Sequence, residues 1–405
     1  MRTLVFYAAG LLLAGLLSAL AIICVPEIHF TSIRAHAIHG WHLDRKNERG
    51  DTPLMQAAYE GDISLATYLL EKGADIHQVN KVPVSALNLA IIFGQLEMVK
   101  LLISKGADPY DEEFRGRYSI SGKSLASSSG HRDILDFFEF MDELRHQIVE
   151  AAAEGNLETL KKLIQEGASI QSRGEGGRTP LMMAAFHGHE EIVRFILQRG
   201  PVLNTACSNG FHTAYYAIAS YSPEIVALFL EHGQEINQKF RLLRYGGHNY
   251  WESTMLMDAS GIGALEVVRL LLAHGADPGI QTENFFTALG YATLNNHPEV
   301  VSLLLEQGAL VDYPEHSPLA IAARNGHTEI ARLLVEKGAD INRRGPTGTP
   351  FTNAVAYGNL EMVKLFTENG ADLTATNTYG MNGLEIAQKY RFYSIERYLQ
   401  RHFPQ

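Results

Sequence analysis

Cysteine is almost absent from this chain of 405 residues: Cys24 and Cys207 are the only two. Two thiols so far apart exclude a disulfide framework and a cysteine-based zinc site. Cys207 then reads as a small side chain, buried or half-buried. Basic charge is also short. Lysine and arginine number 34 against 45 acidic residues, a net charge of −11. A general nucleic-acid binder needs cations to replace counterions on phosphates, so no nucleic-acid partner is expected. No Asn-x-Ser/Thr sequon occurs, which removes one argument for a glycosylated extracellular protein. No phosphate loop, dinucleotide glycine fingerprint, His-Glu-x-x-His or Gly-x-Ser-x-Gly string occurs either. What is present is a 46% hydrophobic composition, enough for a folded chain of two or three ordinary domains.

The longest apolar run is Leu4 to Val25, uncharged and closed by Pro26 and Glu27. As a helix it would span roughly 33 Å, close to the hydrocarbon core of a bilayer. Residues 1–26 therefore read as one transmembrane helix, an uncleaved signal anchor, with membrane contact through residues 4–25. A cleaved signal peptide with secretion is the competing reading, but its apolar region is usually shorter. Ile23 precedes Cys24, where a lipoprotein site wants a small residue. The sparse Lys/Arg on either side favours an inside N-terminus and an exported, periplasmic or extracytoplasmic C-terminal part. Gly10, Ala14 and Ser18 recur every four residues and offer a seam for self-association. Residues 27–46 are a spacer. His36, His39 and His42 lack a carboxylate to complete a metal set, so a solvated linker is expected there.

The informative feature is repetition. Thr52-Pro53-Leu54, Ala57-Ala58, Gly61, Leu69-Leu70 and Gly73-Ala74-Asp75 form one series. Thirty-three residues on, Ser85-Ala86-Leu87, Ala90, Gly94, Leu101-Leu102 and Gly106-Ala107-Asp108 repeat it. Thr179-Pro180-Leu181, Thr254, Thr287-Ala288-Leu289, Ser317-Pro318-Leu319 and Thr349-Pro350-Phe351 open further units. Between Thr179 and Thr254 the next start is read at Thr213. The series resembles the ankyrin repeat. That resemblance implies an all-α solenoid of about eleven helix-turn-helix units joined by short β-turns, some degenerate. It also implies partner binding through turn tips and the concave first-helix side.

The residues explain the unit without the family. Thr or Ser caps a first helix, and Pro suits its first turn. Paired Ala residues allow close approach of neighbours. Gly61 or Gly188 ends that helix, and a second follows, as in Glu190 to Leu197. No unit buries its own apolar face, so cohesion must come from stacking.

Two departures stand out. From Gly130 to Gly155 the period shrinks to 25, and His131 to Glu154 holds neither Gly nor Pro. An interrupted or bent stack is expected, with repeats 1–3 over 47–141 and repeats 4–11 over 142–405, the last a polar-faced cap. Between Thr213 and Thr254 the spacing grows to 41. The inserted segment carries Phe240, Arg241, Arg244, Tyr245, His248, Tyr250 and Trp251, basic and aromatic in an acidic chain. Such residue types dominate interface hot spots. With the turn residues Phe211, Phe285 and Phe286 they are the expected protein-binding set; the competing reading folds these aromatics back over the stack.

No catalytic residue, metal or cofactor is expected. His187 and His189 sit beside Gly188, and His131 and His327 follow equivalent glycines, so they read as a repeat feature. The expected function is non-catalytic binding of an unidentified protein by a repeat array displayed from a membrane. Two alternatives are an inhibitor or immunity-type protein that blocks an envelope enzyme, and a self-assembling membrane scaffold. Coexpression with a toxic secreted enzyme separates the first from a passive scaffold. Size measurement with and without residues 1–26 tests the second.

Overall fold

The computed structural model describes residues 43–109, 121–243, 250–313 and 317–402. The expected transmembrane segment and His36, His39 and His42 lie outside them. Among the described residues no helix is long and apolar enough to cross a membrane.

The chain divides into two compact units between Glu143 and Leu144. The first holds α1 (Pro53–Glu60), α2 (Ile63–Glu71), α3 (Ala86–Ile92), α4 (Leu96–Ser104), α5 (Gly122–Ser129) and α6 (Arg132–Glu154) through Glu143. The second holds the rest of α6, then α7 (Leu157–Gln165), α8 (Pro180–Phe186), α9 (Glu190–Leu197), α10 (Thr213–Ile218) and α11 (Pro223–Glu231). Strands β1 (Phe240–Leu243) and β2 (Tyr250–Ser253) follow. Then come α12 (Met255–Ile262), α13 (Leu265–Ala273), α14 (Ala288–Leu294), α15 (Pro298–Glu306), α16 (Pro318–Asn325) and α17 (Thr328–Glu336). The series ends with α18 (Pro350–Ala356), α19 (Leu360–Glu368), α20 (Gly383–Tyr390) and α21 (Tyr393–His402). These twenty-one α-helices make eleven pairs, because α6 serves in two.

The first helix of every pair but the fourth starts at a side-chain cap. Thr52 Oγ1 accepts the N–H of Met55, and Thr179 Oγ1 that of Met182. Ser85, Thr254, Thr287, Ser317 and Thr349 do the same for their helices. Such a bond satisfies a donor that the helix itself leaves open, which stabilises by about 1 kcal/mol. First helices pack on first helices, α1 on α3 on α5 and α8 through α20 in order. Buried alanines such as Ala57, Ala58, Ala184 and Ala185 permit the close approach. Second helices pack on second helices in the same way, α2 on α4 and α9 through α21. Gly94 shows what the turn between paired helices demands. It takes φ 71°, and a Cβ there would lie 2.6 Å from the His131 ring of the next pair.

The sequence irregularities have physical counterparts. Over His131 to Glu154 no glycine is present to take the left-handed conformation that ends a helix. The second helix of the third pair therefore runs on into the first helix of the fourth as one element, α6. The register of the sixth pair needs a correction. Its cap is His212, not Thr213: Nδ1 of His212 accepts the N–H of Tyr215 at 3.2 Å. His212 lies 33 residues after Thr179 and 42 before Thr254, so the insertion is one residue longer than the Thr213 reading gives.

At the C-terminus Ile395 and Leu399 of α21 are buried while Arg397 and Arg401 face solvent. That gives the last pair one apolar and one charged face.

Candidate protein-binding surface

The inserted segment forms an antiparallel hairpin. Phe240 pairs with Ser253, Arg241 with Glu252, Leu242 with Trp251 and Leu243 with Tyr250. Among the described residues, other turns between pairs carry at most single bridges, such as Ala206 with His212 and Thr376 with Asn382. The hairpin is thus the same turn, lengthened by strand pairing. Of the residues expected here, Arg244, Tyr245 and His248 lie outside the described ones. For Tyr250 and Trp251 the backbone pairing alone is described.

Phe240 corrects the sequence reading. It is 6% exposed, and its ring stacks on His212 at 3.4 Å between centroids, 7° from parallel. It anchors the root of the hairpin and does not face outward. Arg241 does face outward. Its guanidinium reaches Glu252 on the paired strand at 3.5 Å and Glu283 in the next turn at 3.0 Å. Lys239 adds a second cation on Glu252 at 3.5 Å.

The turn residues are half-exposed aromatics. Phe211 stacks on Tyr215 at 4.5 Å. Phe286 lies 5.5 Å from Tyr291. Phe285 is 46% exposed and holds φ at 61°. Gly210 occupies the matching place before Phe211, at φ 83°. A left-handed backbone is easy for glycine and costs a bulky residue about 1–2 kcal/mol. Phe285→Gly is therefore expected to raise stability by about 1 kcal/mol in urea denaturation while weakening partner capture. A drop in stability would show instead that the ring holds the turn together.

Residues that sequence reasoning missed lie beneath this rim. His212 Nε2 meets Asp258 Oδ2 at 3.2 Å, and both side chains are nearly buried. Tyr216 donates to Cys207 Sγ at 3.4 Å. Burial, and then that contact, push the Tyr216 hydroxyl up to about 12. Burial, and then the Asp258 charge, push Tyr291 up to about 12 as well. The unfolded chain ionises its tyrosines near their ordinary value of 10, before the folded chain does. This contribution to stability is whole below about pH 10 and falls as the pH rises toward 12. Urea midpoints measured at pH 9, 10 and 11 are expected to fall, with a shallower fall for Tyr291→Phe.

The histidines that open second helices, three after a glycine and His297 after Asn296, are structural. His131, His189, His297 and His327 each place Nε2 within 3.2 Å of a main-chain carbonyl in the preceding pair. Among the described residues no group of three His, Cys, Asp or Glu is arranged to hold a metal ion.

The family model for ankyrin repeats in three copies matches residues 23–113, 148–240 and 256–345, more than half of the chain. The chain belongs to the ankyrin-repeat family. The unmatched gaps cover most of α6 and the hairpin. The chain is 27% identical over 281 residues to the mouse B-cell lymphoma 3 protein homolog, covering 68% of this chain and 55% of that one. It is 26% identical over 273 residues to the ankyrin repeat protein nuc-2 of Neurospora crassa, covering 64% of this chain and 24% of that one. It thus spans about half or less of the length of these relatives. The human ASB11 ankyrin repeat domain is similar at 21% identity and a TM-score of 0.38, covering 64% of this chain and 98% of that one. Ankyrin repeats indicate a protein–protein interaction module, typically a non-catalytic scaffold.

Proposed function

We propose that the chain is a non-catalytic array, held at a membrane by residues 4–25, that binds one protein partner. The contact patch is the hairpin of residues 239–252 with the turns at Phe211 and at Phe285–Phe286. In this reading repeats 1–3 span 47–141, repeats 4–11 span 142–405, and the repeats are exported. The apolar run from Leu4 to Val25 supports the anchor. The Phe285 turn carries the patch: an aromatic ring kept half in water, on a backbone that glycine would hold at lower cost. Stack cohesion alone gives no reason for that choice. The hairpin beside it adds Arg241 to the same rim.

The test is affinity capture from native membranes with two chains. One is the full chain. The other has residues 241–252 replaced by a two-residue Asn-Gly turn, which suits a short hairpin. The proposal expects a protein captured by the first and lost with the second while both melt cooperatively. Equal capture by both chains would place the contact elsewhere.

A further inference from the structure

The first-helix side of the pairs around the hairpin carries a carboxylate that no described cation neutralises. The Asp258 side chain on α12 is 10% exposed, and its ion-pair partner among the described residues is His212. His212 accepts the Tyr215 N–H at Nδ1. A ring nitrogen that accepts carries no proton, so the hydrogen-bond geometry assigns a neutral imidazole with its hydrogen on Nε2. That hydrogen orients the Asp258 carboxylate and leaves its charge whole. A nearly buried anion without a cation destabilises a fold. Other first helices place uncharged residues here, among them Gln56, Met183, Tyr216, Ile321 and Asn353. Stacking therefore does not require the charge.

Its surroundings suit a cation. Tyr291 holds the same position on α14, which packs against α12. A Cβ on Gly261, one helical turn from Asp258, would lie 3.8 Å from Cβ and Cδ1 of Tyr291. On the other side the Tyr215 ring stands edge-on to His212, 6.5 Å between centroids. The Asp258 charge adds to burial in raising both tyrosine hydroxyls, so both feel its field. Each tyrosine is backed by a turn phenylalanine, Phe211 or Phe286. One carboxylate with a tyrosine on each neighbouring first helix attracts a cation by charge, and an aromatic ring within reach adds to that attraction.

We propose that Asp258, flanked by Tyr215 and Tyr291, is the subsite for a lysine or arginine side chain of the protein partner. This rests on the partner-binding reading above and assigns the partner's chemistry. A net charge of −11 on the chain likewise favours a basic partner.

The test uses the full chain on immobilised peptide libraries with a fixed central Arg, Lys, Gln or Glu. Retention on Arg or Lys is expected to exceed that on Gln at least tenfold, and D258N is expected to lose that preference. Asparagine still accepts from His212 Nε2, so the melting temperature of D258N should stay level or rise. Tyr291→Phe should keep the preference and Tyr291→Leu should reduce it. Glu266→Gln, an exposed carboxylate on α13, should leave it unchanged. A wild-type chain without the preference overturns the proposal. So does a D258N chain that keeps it, or an E266Q chain that loses as much as D258N. Partner capture by Trp251→Ala keeps the two readings apart. If D258N binds normally while Trp251→Ala does not, the hairpin patch stands and the cation subsite falls.

Discussion

Phe366→Ala is expected to lose about 3–5 kcal/mol of folding stability. Phe366 is 0% exposed on α19, a second helix, and α19 packs between α17 and α21. Truncating a buried phenylalanine removes its transfer free energy and leaves a cavity that the surrounding side chains fill only in part. The repeat architecture sets where that loss appears. Each pair gains its cohesion from the pairs beside it, so weakening the tenth pair also loosens the terminal one. Urea unfolding followed by far-ultraviolet circular dichroism should show an early transition from the last two pairs. A midpoint shift worth less than about 1 kcal/mol would contradict the stacked arrangement of these pairs.

Trp251→Ala is expected to weaken partner binding by about 2 kcal/mol, near thirtyfold. Trp251 pairs with Leu242 across the hairpin, in the segment that lengthens one turn beyond all the others. Repeat arrays tolerate insertions at turns because the stack does not depend on them, and those turns are free to serve recognition. Trp supplies a large contact area at little conformational cost, which is why its truncation is among the most damaging at an interface. Stability should change by no more than about 0.5 kcal/mol. The check is a dissociation constant for the captured partner beside a melting curve. Normal binding with earlier melting would make the hairpin a structural cover.

Much of the fold was legible because each unit repeats the same local chemistry. Thr52, Thr179, Thr254 and Thr349 cap helices as their position before an apolar stretch implies. Such caps bond within three residues, so the sequence carries the whole interaction. His212 was misread because a threonine follows it and the motif drew the register one place along. The imidazole accepts the same bond a hydroxyl would, and only the 33-residue spacing from Thr179 signals it. The long α6 was visible as missing glycine, but the fusion of two helices into one required coordinates.

The candidate site was legible in part. Exposure of Phe285 and Arg241 agrees with their place in turns. The burial of Phe240 depends on a ring 28 positions away, and the His212–Asp258 contact spans 46 positions. Contacts of that range leave no local pattern. Tyr221, Asn296 and Arg391 take left-handed backbones where sister units have glycine, and nothing in their neighbours announces it.

Photo-cross-linking tests the central claim most directly. A benzoylphenylalanine replaces Phe285 in one full-length chain and the exposed Arg269 of α13 in another, each irradiated in native membranes. The account predicts one adduct of defined mass from position 285 and none from 269. An adduct from 269 with none from 285 would put the partner on the second-helix side and contradict it.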